Sequence, residues 1–472
     1  RQVLNSVLKR STNRYTYKTI MKKDGTITGN PEEIQQVLNE SFSQWYAPSE
    51  VLVPLARFLQ EDANIWKDFQ RQKTIPNMSV ALESGLPKEL ITLFTEALLS
   101  TQDSDQLFAD MTEALTREIS LDDLMNALKA RSNNRSPGIT GFSVNMMKQW
   151  SSRAISAAHS LMSYMWENRH VPKHWRDKWV VLIPKDNDRN VKVDRLRPIC
   201  LLETTRKVWT SVIMYRITHL TEKHNVLQEM QSGFRRGQST ETSLIQFINA
   251  LEQAEQTVAP LYYTSYDISK AFDRPAKNLI QMAWCRLGVP PDIAQWLSNL
   301  DIGGKAYIKS PWAQSKIPRN GVISETNLPY FNQITGVPQG SSEGGIAWLA
   351  IFDILLTMLR KSGKCTYTIR DYNGKLKTQW PTAFADDLMA YAATLQETQD
   401  QADIISFFCM IMGLEVAPKK MVAKGMNIAQ DKTITGEQMK IQIWTIEGMR
   451  ADVQVVSPQD PRSRDHEVLR YL

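Results

Sequence analysis

The chain has 472 residues, of which 42% are hydrophobic and 22% are charged, and its formal net charge is +6. This composition is typical of a globular protein and excludes a disordered or fibrous chain, while the mild positive charge permits a polyanionic partner without identifying one. Four widely separated cysteines without a Cys-x-x-Cys pair exclude a zinc knuckle and a disulfide framework.

The first 120 residues are predicted to be mostly helical. An Asp24-Gly25 turn is followed by Pro31, which opens an amphipathic pattern and therefore predicts a helix. The character of the sequence changes at about residue 121, where "LDDLMNALKARSNNRSPGITGF" predicts a helix that ends in a loop containing Pro and Gly. We therefore predict an N-terminal helical extension over 1–120 and a second unit over 121–472.

Strand and hairpin signals dominate the second unit. "KWVVLIPK" (178–185) predicts a buried strand that stops at a lysine, and "APLYYTSYDISKAFDRP" (259–275) predicts an aromatic-rich strand, a turn and a helix. The Asn373-Gly374 pair predicts a hairpin within 366–380. The apolar run at 346–359 is shorter than the ~20 residues that a bilayer requires, so it predicts a buried helix. This order of elements predicts an α+β fold with an antiparallel sheet.

The stretch "PTAFADDLMAYAAT" (381–394) places two adjacent carboxylates, Asp386 and Asp387, among apolar or small residues. Adjacent strand residues point to opposite faces of a sheet, so both side chains reach one site only if the pair lies in a tight hairpin turn. Buried like charges raise each other's pKa, and a divalent cation such as Mg²⁺ or Mn²⁺ removes that cost. The alternative interpretation is an exposed turn with two acidic residues.

A third carboxylate, Asp267, ends the strand predicted within 259–275. Two strand ends that carry one and two carboxylates could hold two metal ions about 4 Å apart, which is the arrangement used for in-line phosphoryl or nucleotidyl transfer. Together, Asp267, Asp386 and Asp387 therefore favour a catalytic metal site over an ordinary acidic turn.

The segments around these carboxylates resemble motifs of reverse transcriptases. "YDISKAFD" and "FADD" resemble motifs A and C of that family, and "ITGVPQGSSEGG" between them resembles motif B. Further blocks follow the family's order: "RSPGITGF" (135–142), "LIPKDN" with "LRPICLLETTRKVW" (182–209), "QSGFRRGQST" (231–240), "MGLEVAPKK" (412–420) and "HEVLRYL" (466–472). The lead-in "DGTITGNPEEI" is similar to that of the reverse transcriptases of non-LTR (LINE-type) retrotransposons.

The resemblance implies a right-hand polymerase with fingers and palm, an antiparallel palm sheet and a palm core at about 259–472. Residues 1–120 would correspond to the segment that links an endonuclease to the polymerase in such polyproteins. The chain begins at Arg1 and ends within the block similar to the primer grip. We therefore interpret it as a fragment in which the endonuclease and the thumb are missing.

The resemblance also implies roles for individual residues. Asp267, Asp386 and Asp387 would be the catalytic residues and the metal ligands, with Asp386 the more direct ligand. The remaining implied roles are triphosphate binding by Lys185 and Arg197, a steric gate against a 2′-hydroxyl at Phe272, packing on the new base pair by Gln339, proton donation to pyrophosphate by Lys420, and nucleic-acid contacts by Arg235, Arg236 and Gly340.

A purely structural interpretation of these residues stays open on the sequence alone. It makes Lys185 and Arg197 surface residues, Phe272 a core residue, Gln339-Gly340 an ordinary turn, Lys420 part of a solvated basic turn, and Arg235-Arg236 part of a structural turn. Motif B also departs from the family, because the Ser-Pro that usually follows its Gly is absent. We expect Glu343, in its place, to add a negative charge near the phosphate-binding site.

The implied function is RNA-directed DNA polymerisation, in which dNTPs are added to a primer 3′ end with Mg²⁺ or, alternatively, Mn²⁺. The implied partners are an RNA template, a DNA primer and dNTPs, without a membrane, and the family implies action in the nucleus. One alternative is a catalytically decayed, RNA-binding scaffold, which the unusual motif B favours and the intact Asp267 and Asp386 oppose. The other is an intron-encoded maturase and reverse transcriptase, which a basic splicing domain after a thumb would mark.

Overall fold

The fold is given by a computed structural model, which describes residues 19–50, 52–61, 85–101, 104–185, 190–310, 328–365, 367–371, 373–418, 420–431 and 439–456. All structural statements below concern these residues. The predicted block at 466–472 and Lys419 lie outside them.

In the described residues, two short strands come first, a run of helices follows, and strands and helices then alternate. The helices are α1 (Pro31–Trp45), α2 (Pro54–Glu61), α3 (Lys88–Leu99), α4 (Asp105–Thr116), α5 (Leu121–Ala130), α6 (Val144–Lys148), α7 (Ser152–Glu167), α8 (Lys173–Arg176), α9 (Thr204–Lys223), α10 (Thr240–Thr257), α11 (Lys277–Arg286), α12 (Pro291–Ser298), α13 (Gly344–Lys361) and α14 (Leu395–Ile411).

The strands are β1 (Thr19–Met21), β2 (Ile27–Thr28), β3 (Lys178–Pro184), β4 (Asn190–Lys192), β5 (Leu196–Leu201), β6 (Leu261–Tyr266), β7 (Ile268–Ser269), β8 (Ala306–Ile308), β9 (Thr368–Arg370), β10 (Leu376–Thr378), β11 (Thr382–Phe384), β12 (Asp387–Ala392), β13 (Glu415–Val416), β14 (Val422–Met426), β15 (Lys440–Trp444) and β16 (Arg450–Val456). This mixture of helices and strands confirms the predicted α+β class. The strands predicted at 178–185 and within 259–275, and the hairpin around Asn373-Gly374, are also confirmed.

The largest sheet in the described part has six strands in the order β11-β12-β6-β14-β16-β15. Its neighbours are antiparallel, as predicted, except that β14 and β16 are parallel. The exception arises because the chain returns through β15, which occupies the edge and forms a hairpin with β16. The second strand of that hairpin then runs in the same direction as β14 and pairs with it.

A second sheet, in the order β5-β3-β8, faces α1. Asn30 caps α1, because its side chain accepts hydrogen bonds from the first-turn backbone amides of Glu32 and Glu33, and Pro31 occupies the first turn without loss of a helical hydrogen bond. The apolar face of α1 packs on this sheet, and Phe42 stacks on Phe331 with ring centroids 5.9 Å apart. The predicted helix at Pro31 is therefore confirmed, and its C-terminal end is fixed against the sheet.

The predicted buried helix is α13, and its charged residue is compensated. Asp353 is 2% exposed and accepts a hydrogen bond from Arg286 at 2.8 Å. Its other carboxylate oxygen accepts a hydrogen bond from the backbone amide of Gln228 at 2.6 Å. An ionised carboxylate is stable in such a core only when it is paired in this way. Among the described residues, no helix combines the length and apolar character needed to cross a membrane.

Candidate active site

The acidic pair lies at the tip of a hairpin, as predicted. Strands β11 and β12 pair so that Phe384 is opposite Asp387, which leaves Ala385 and Asp386 as the two turn residues. Ala385 has a φ of 58°, in the left-handed region that a two-residue hairpin requires. The turn thus places Asp386 at the tip, and Asp387 begins the returning strand.

Asp267 lies at the same end of the sheet as this hairpin. Strand β6 is the antiparallel neighbour of β12, with Tyr266 opposite Leu388, so Asp267 follows β6 next to the start of β12. Burial and then the charge of Asp267 raise the pKa of Asp386. Burial, followed by the charges of Asp386 and Asp267, raises the pKa of Asp387 to about 7. The structure therefore brings the three predicted carboxylates together electrostatically.

The hairpin tip is held by residues that the sequence analysis did not single out. Gln231 donates to the Ala385 carbonyl (3.1 Å) and accepts from the Ala385 amide (3.0 Å), and the Trp348 indole donates to the same carbonyl (2.8 Å). The backbone of Gly233 approaches so closely that a Cβ there would lie 2.2 Å from the Ala385 nitrogen. The sequence signal for this support is Gln-Ser-Gly at 231–233, the start of the block "QSGFRRGQST" that resembles the family.

Three predicted cations surround the carboxylates. Lys420 forms an ion pair with Asp267, with Nζ 3.2 Å from Oδ1 and 3.4 Å from Oδ2. Desolvation and the nearby charges of Lys420 and Arg197 lower the pKa of Lys185, while Asp267 opposes that shift. Lys185, Arg197 and Lys420 thus lie within electrostatic reach of one another and of the acidic site.

The donor set fits a hard divalent cation. Three carboxylates offer oxygen ligands, and burial followed by the charges of the neighbouring carboxylates raises the pKa of Asp386 and Asp387, which a bound divalent cation would oppose. In the part of the chain that the structure describes, no set of three or more His, Cys, Asp or Glu side chains is already arranged as a metal cluster. Because Lys420 is paired with Asp267, a cation that binds Asp267 would compete with Lys420 for that carboxylate.

Phe272 and Gln339 lie on the segments that flank the carboxylates. Phe272 is half-buried between Phe234 and Trp348, with ring centroids 5.9 and 5.3 Å away. Gln339 is also half-buried, and its amide donates to the carboxylate of Asp273 at 3.2 and 3.1 Å. Both side chains are therefore fixed in orientation while part of each stays accessible.

Gly340 occupies a position that only glycine fits without strain. Its φ is 113°, and a Cβ there would lie 2.7 Å from the carbonyl oxygen of Cys200. The amide of Cys200 in turn donates to the carbonyl of Gln339 at 2.7 Å. These contacts fix the loop before α13 against β5.

The expectation for Glu343 is wrong. Its side chain is buried rather than directed at the site, and it accepts a hydrogen bond from Arg206 at 2.6 Å. Arg206 also binds Asp301, which pairs with Lys178 at 2.7 Å. The negative charge is compensated within a buried network, because an unpaired carboxylate in the core would be too costly. The unusual motif B therefore adds no free charge to the site.

The two predicted arginines of "QSGFRRGQST" differ in their surroundings. The guanidinium of Arg235 is bound to both carboxylate oxygens of Glu222, at 2.9 and 2.7 Å, and to the carbonyl of Gln228. Arg236 is exposed. Arg235 thus has a structural contact set, and Arg236 presents its charge to the solvent.

Comparison with known proteins identifies the region that contains this site. Residues 183–435 match the family model described as "Reverse transcriptase (RNA-dependent DNA polymerase)". The chain is similar to the probable RNA-directed DNA polymerase from transposon BS of Drosophila melanogaster, at 26% identity over 38% of this chain and 20% of the relative. It is also similar to the transposon TX1 uncharacterized 149 kDa protein of Xenopus laevis, at 24% identity over 53% of this chain and 18% of the relative.

A third relative is the probable RNA-directed DNA polymerase from transposon X-element of Drosophila melanogaster, at 24% identity over 53% of this chain and 27% of the relative. The chain thus spans about a fifth to a quarter of the length of the curated relatives that it matches.

Proposed function

Because the chain belongs to the reverse transcriptase (RNA-dependent DNA polymerase) family, we propose that it adds dNTPs to a primer 3′ end under the direction of an RNA template. The observation that carries the proposal is the convergence of three carboxylates and three cations at one end of the largest sheet. In such an arrangement the carboxylates can bind divalent cations and the basic side chains can bind the triphosphate of a nucleotide.

We further propose that the element of origin is a non-LTR (LINE-type) retrotransposon. Three similar proteins carry the word transposon in their names, and two of those are named as probable RNA-directed DNA polymerases. The proposed partners are accordingly an RNA template, a DNA primer and dNTPs. The order of the sequence blocks at 121–472 supports the same assignment.

The architecture supports an assignment of fingers and palm. We propose that the six-stranded sheet with α13 and α14 is the palm, with its core at about 259–472, and that the sheet β5-β3-β8 belongs to the fingers. Residues 1–120 are proposed to form the N-terminal extension. The cations Lys185 and Arg197 then project from the fingers toward the palm carboxylates.

In the proposed reaction, Asp267, Asp386 and Asp387 would hold divalent cations. When bound, these cations would lower the pKa of the primer 3′-hydroxyl and neutralise charge on the triphosphate. Lys185 and Arg197 would bind the triphosphate oxygens, because both cations interact electrostatically with Asp386. Lys420 would donate a proton to the departing pyrophosphate, and its ion pair with Asp267 keeps it in position until the substrate enters.

The remaining predicted residues would contact the nucleotide and the strands. Phe272 would lie under the sugar as the steric gate, and Gln339 with Gly340 would pack on the new base pair. Arg236 would bind nucleic acid through its exposed charge. Arg235 would support that contact, since its own guanidinium is bound to Glu222.

Phe272→Ala is expected to weaken the discrimination against ribonucleotides by about tenfold or more. Steric exclusion of a hydroxyl by one side chain contributes ~1–3 kcal/mol to this discrimination, and the substitution removes that contribution. The measurement is the ratio of kcat/KM for dNTP and rNTP in single-nucleotide extension. Phe142→Ala is the matched control, since Phe142 stacks on Trp150 at 4.8 Å in a different part of the fold. Unchanged discrimination in Phe272→Ala would remove the steric gate from this proposal.

The proposed function is tested by primer extension on an RNA template with a DNA primer, dNTPs and Mg²⁺. We expect template-dependent extension that disappears on chelation of the metal with EDTA. Tight RNA binding without extension would instead identify a scaffold that binds RNA. Extension on a DNA template without extension on an RNA template would contradict an RNA-directed activity.

A further inference from the structure

Asp273 is a buried carboxylate in the turn after Asp267, and hydrogen-bond donors from two distant segments converge on it. The residue is 1% exposed. Its carboxylate accepts hydrogen bonds from the Trp45 indole at 3.0 Å and from the Tyr46 hydroxyl at 3.2 Å, both at the end of α1. The third donor is the Gln339 amide, at 3.2 and 3.1 Å. One side chain therefore joins α1 to the loop before α13.

The surroundings of Asp273 disfavour the charged form of its carboxylate. Burial raises the pKa of Asp273 to about 6, and the hydrogen bonds from its three donors only partly oppose the shift. Because the pKa in the folded protein lies above that of an unfolded chain, the contribution of Asp273 to stability is present below the unfolded pKa of ~4, falls as the pH rises, and is lost above about 6.

Backbone contacts bind the same three segments together. The hydroxyl of Thr335 lies within hydrogen-bond distance of two carbonyl oxygens, those of Asp273 (2.8 Å) and Tyr46 (3.1 Å), and donates its single hydrogen to this pair. The amide of Val337 donates to the carbonyl of Phe272 at 2.8 Å. The loop that ends in Gln339 thus lies directly on the turn of Asp273 and on the end of α1.

Trp45 is fixed on its other side as well. The ammonium of Lys270 lies 3.6 Å from the centroid of the Trp45 ring, a distance typical of a cation–π contact. The indole therefore has one orientation in which it both stacks on Lys270 and donates to Asp273. That orientation makes Trp45 a rigid support for the carboxylate.

We infer that Asp273 is a positioning residue: it holds the Nε2 of Gln339 so that the amide oxygen faces the incoming nucleotide, and Trp45 and Tyr46 hold Asp273. This inference rests on the proposed function, in which Gln339 binds the nucleotide. Trp45 and Tyr46 lie outside the matched residues 183–435, so a segment before the family region completes the substrate site. Asp273 acts through Gln339 and does not itself touch the substrate.

The inference is tested by steady-state extension kinetics of the full chain, with the parent, Asp273→Asn, Gln339→Ala and the double variant. We expect Asp273→Asn to raise the KM for dNTP about tenfold while kcat changes by less than about threefold, since ground-state binding is affected. Gln339→Ala should raise KM by a similar factor. The double variant should be no worse than the more affected single variant, because both changes remove one contact.

Two sets of controls separate positioning from folding. Trp45→Phe and Tyr46→Phe each remove one donor and keep a ring, and each should raise KM by about two- to threefold. Asp431→Asn is the matched buried carboxylate, since Asp431 accepts from Tyr262 (2.8 Å) and from the Leu395 amide (3.1 Å). We expect it to leave KM for dNTP unchanged. A purely structural role would lower the melting temperature and kcat in both Asp variants without the selective change in KM.

The outcomes distinguish the inference from the function on which it rests. A parent that extends the primer, with an unchanged KM in Asp273→Asn or with additive effects in the double variant, overturns the inference alone. A parent without RNA-templated extension overturns the proposed function and the inference with it. If Asp273→Asn does not fold, the Trp45→Phe/Tyr46→Phe double variant decides, and an unchanged KM there also overturns the inference.

Discussion

Asp386→Asn is expected to abolish RNA-templated primer extension, with a loss of about 10³-fold or more in kcat/KM, because metal-ligand charge stabilises the transition state by several kcal/mol. The substitution keeps the shape of the side chain and removes its charge. Asp386 is the second of the two turn residues of the hairpin, and its pKa is raised first by burial and then by Asp267. The measurement is steady-state extension over a range of dNTP concentrations at saturating Mg²⁺, from which kcat/KM is obtained.

The matched control for this substitution is Asp371→Asn in the neighbouring hairpin of β9 and β10. Asp371 accepts hydrogen bonds from the turn amides of Asn373 and Lys375 and pairs with Lys377 at 3.3 Å. It is therefore also a hairpin aspartate, but the hydrogen bonds and the charge that lower its pKa come from its own hairpin. We expect the activity of Asp371→Asn to stay within about twofold of the parent, because the contacts of Asp371 named above lie within its own hairpin. Equal activity of Asp386→Asn and the parent would rule out the proposed metal site.

Gly233→Ala is expected to reduce extension by about 100-fold, since a displacement of ~1 Å at a reacting centre has an effect of that size. The new Cβ would lie 2.2 Å from the nitrogen and 3.0 Å from the Cα of Ala385. These are backbone atoms of the turn that carries Asp386, so they cannot rotate aside as a flexible side chain would. The turn must move, and Asp386 moves with it.

Gly304→Ala is the matched control for this steric change. Its Cβ would lie 2.3 Å from the carbonyl oxygen of Arg176, which is an equally severe backbone overlap away from the hairpin. We expect both variants to lose thermal stability and only Gly233→Ala to lose activity per folded molecule. The comparison requires melting curves together with extension rates normalised to the folded fraction. Full activity of folded Gly233→Ala would show that the turn does not depend on this contact.

Local signals in the sequence were sufficient for much of the secondary structure. Pro31 predicted the start of α1, and Asn373-Gly374 predicted the hairpin of β9 and β10. The adjacent Asp386-Asp387 pair predicted a tight turn because strand geometry otherwise separates neighbouring side chains. These features depend on interactions between residues that are close in the chain, and such interactions can be interpreted without the fold.

Contacts over long sequence separations were decided only by the tertiary structure. The parallel pairing of β14 and β16 depends on the path of the chain through β15, which no local pattern specifies. Glu343 looked like a free charge, and its partner Arg206 is 137 residues away. The hairpin tip depends on Gln231, which is 154 residues from Ala385.

The candidate site divides in the same way. The sequence by itself determined which residue types could perform the chemistry: the carboxylates Asp267, Asp386 and Asp387, and cations such as Lys420. The tertiary structure decided what holds them, including the contact between Trp45 and Asp273 across 228 residues. The physical reason is that a buried polar group must find a partner, and only packing of the whole chain decides which partner is within hydrogen-bond distance.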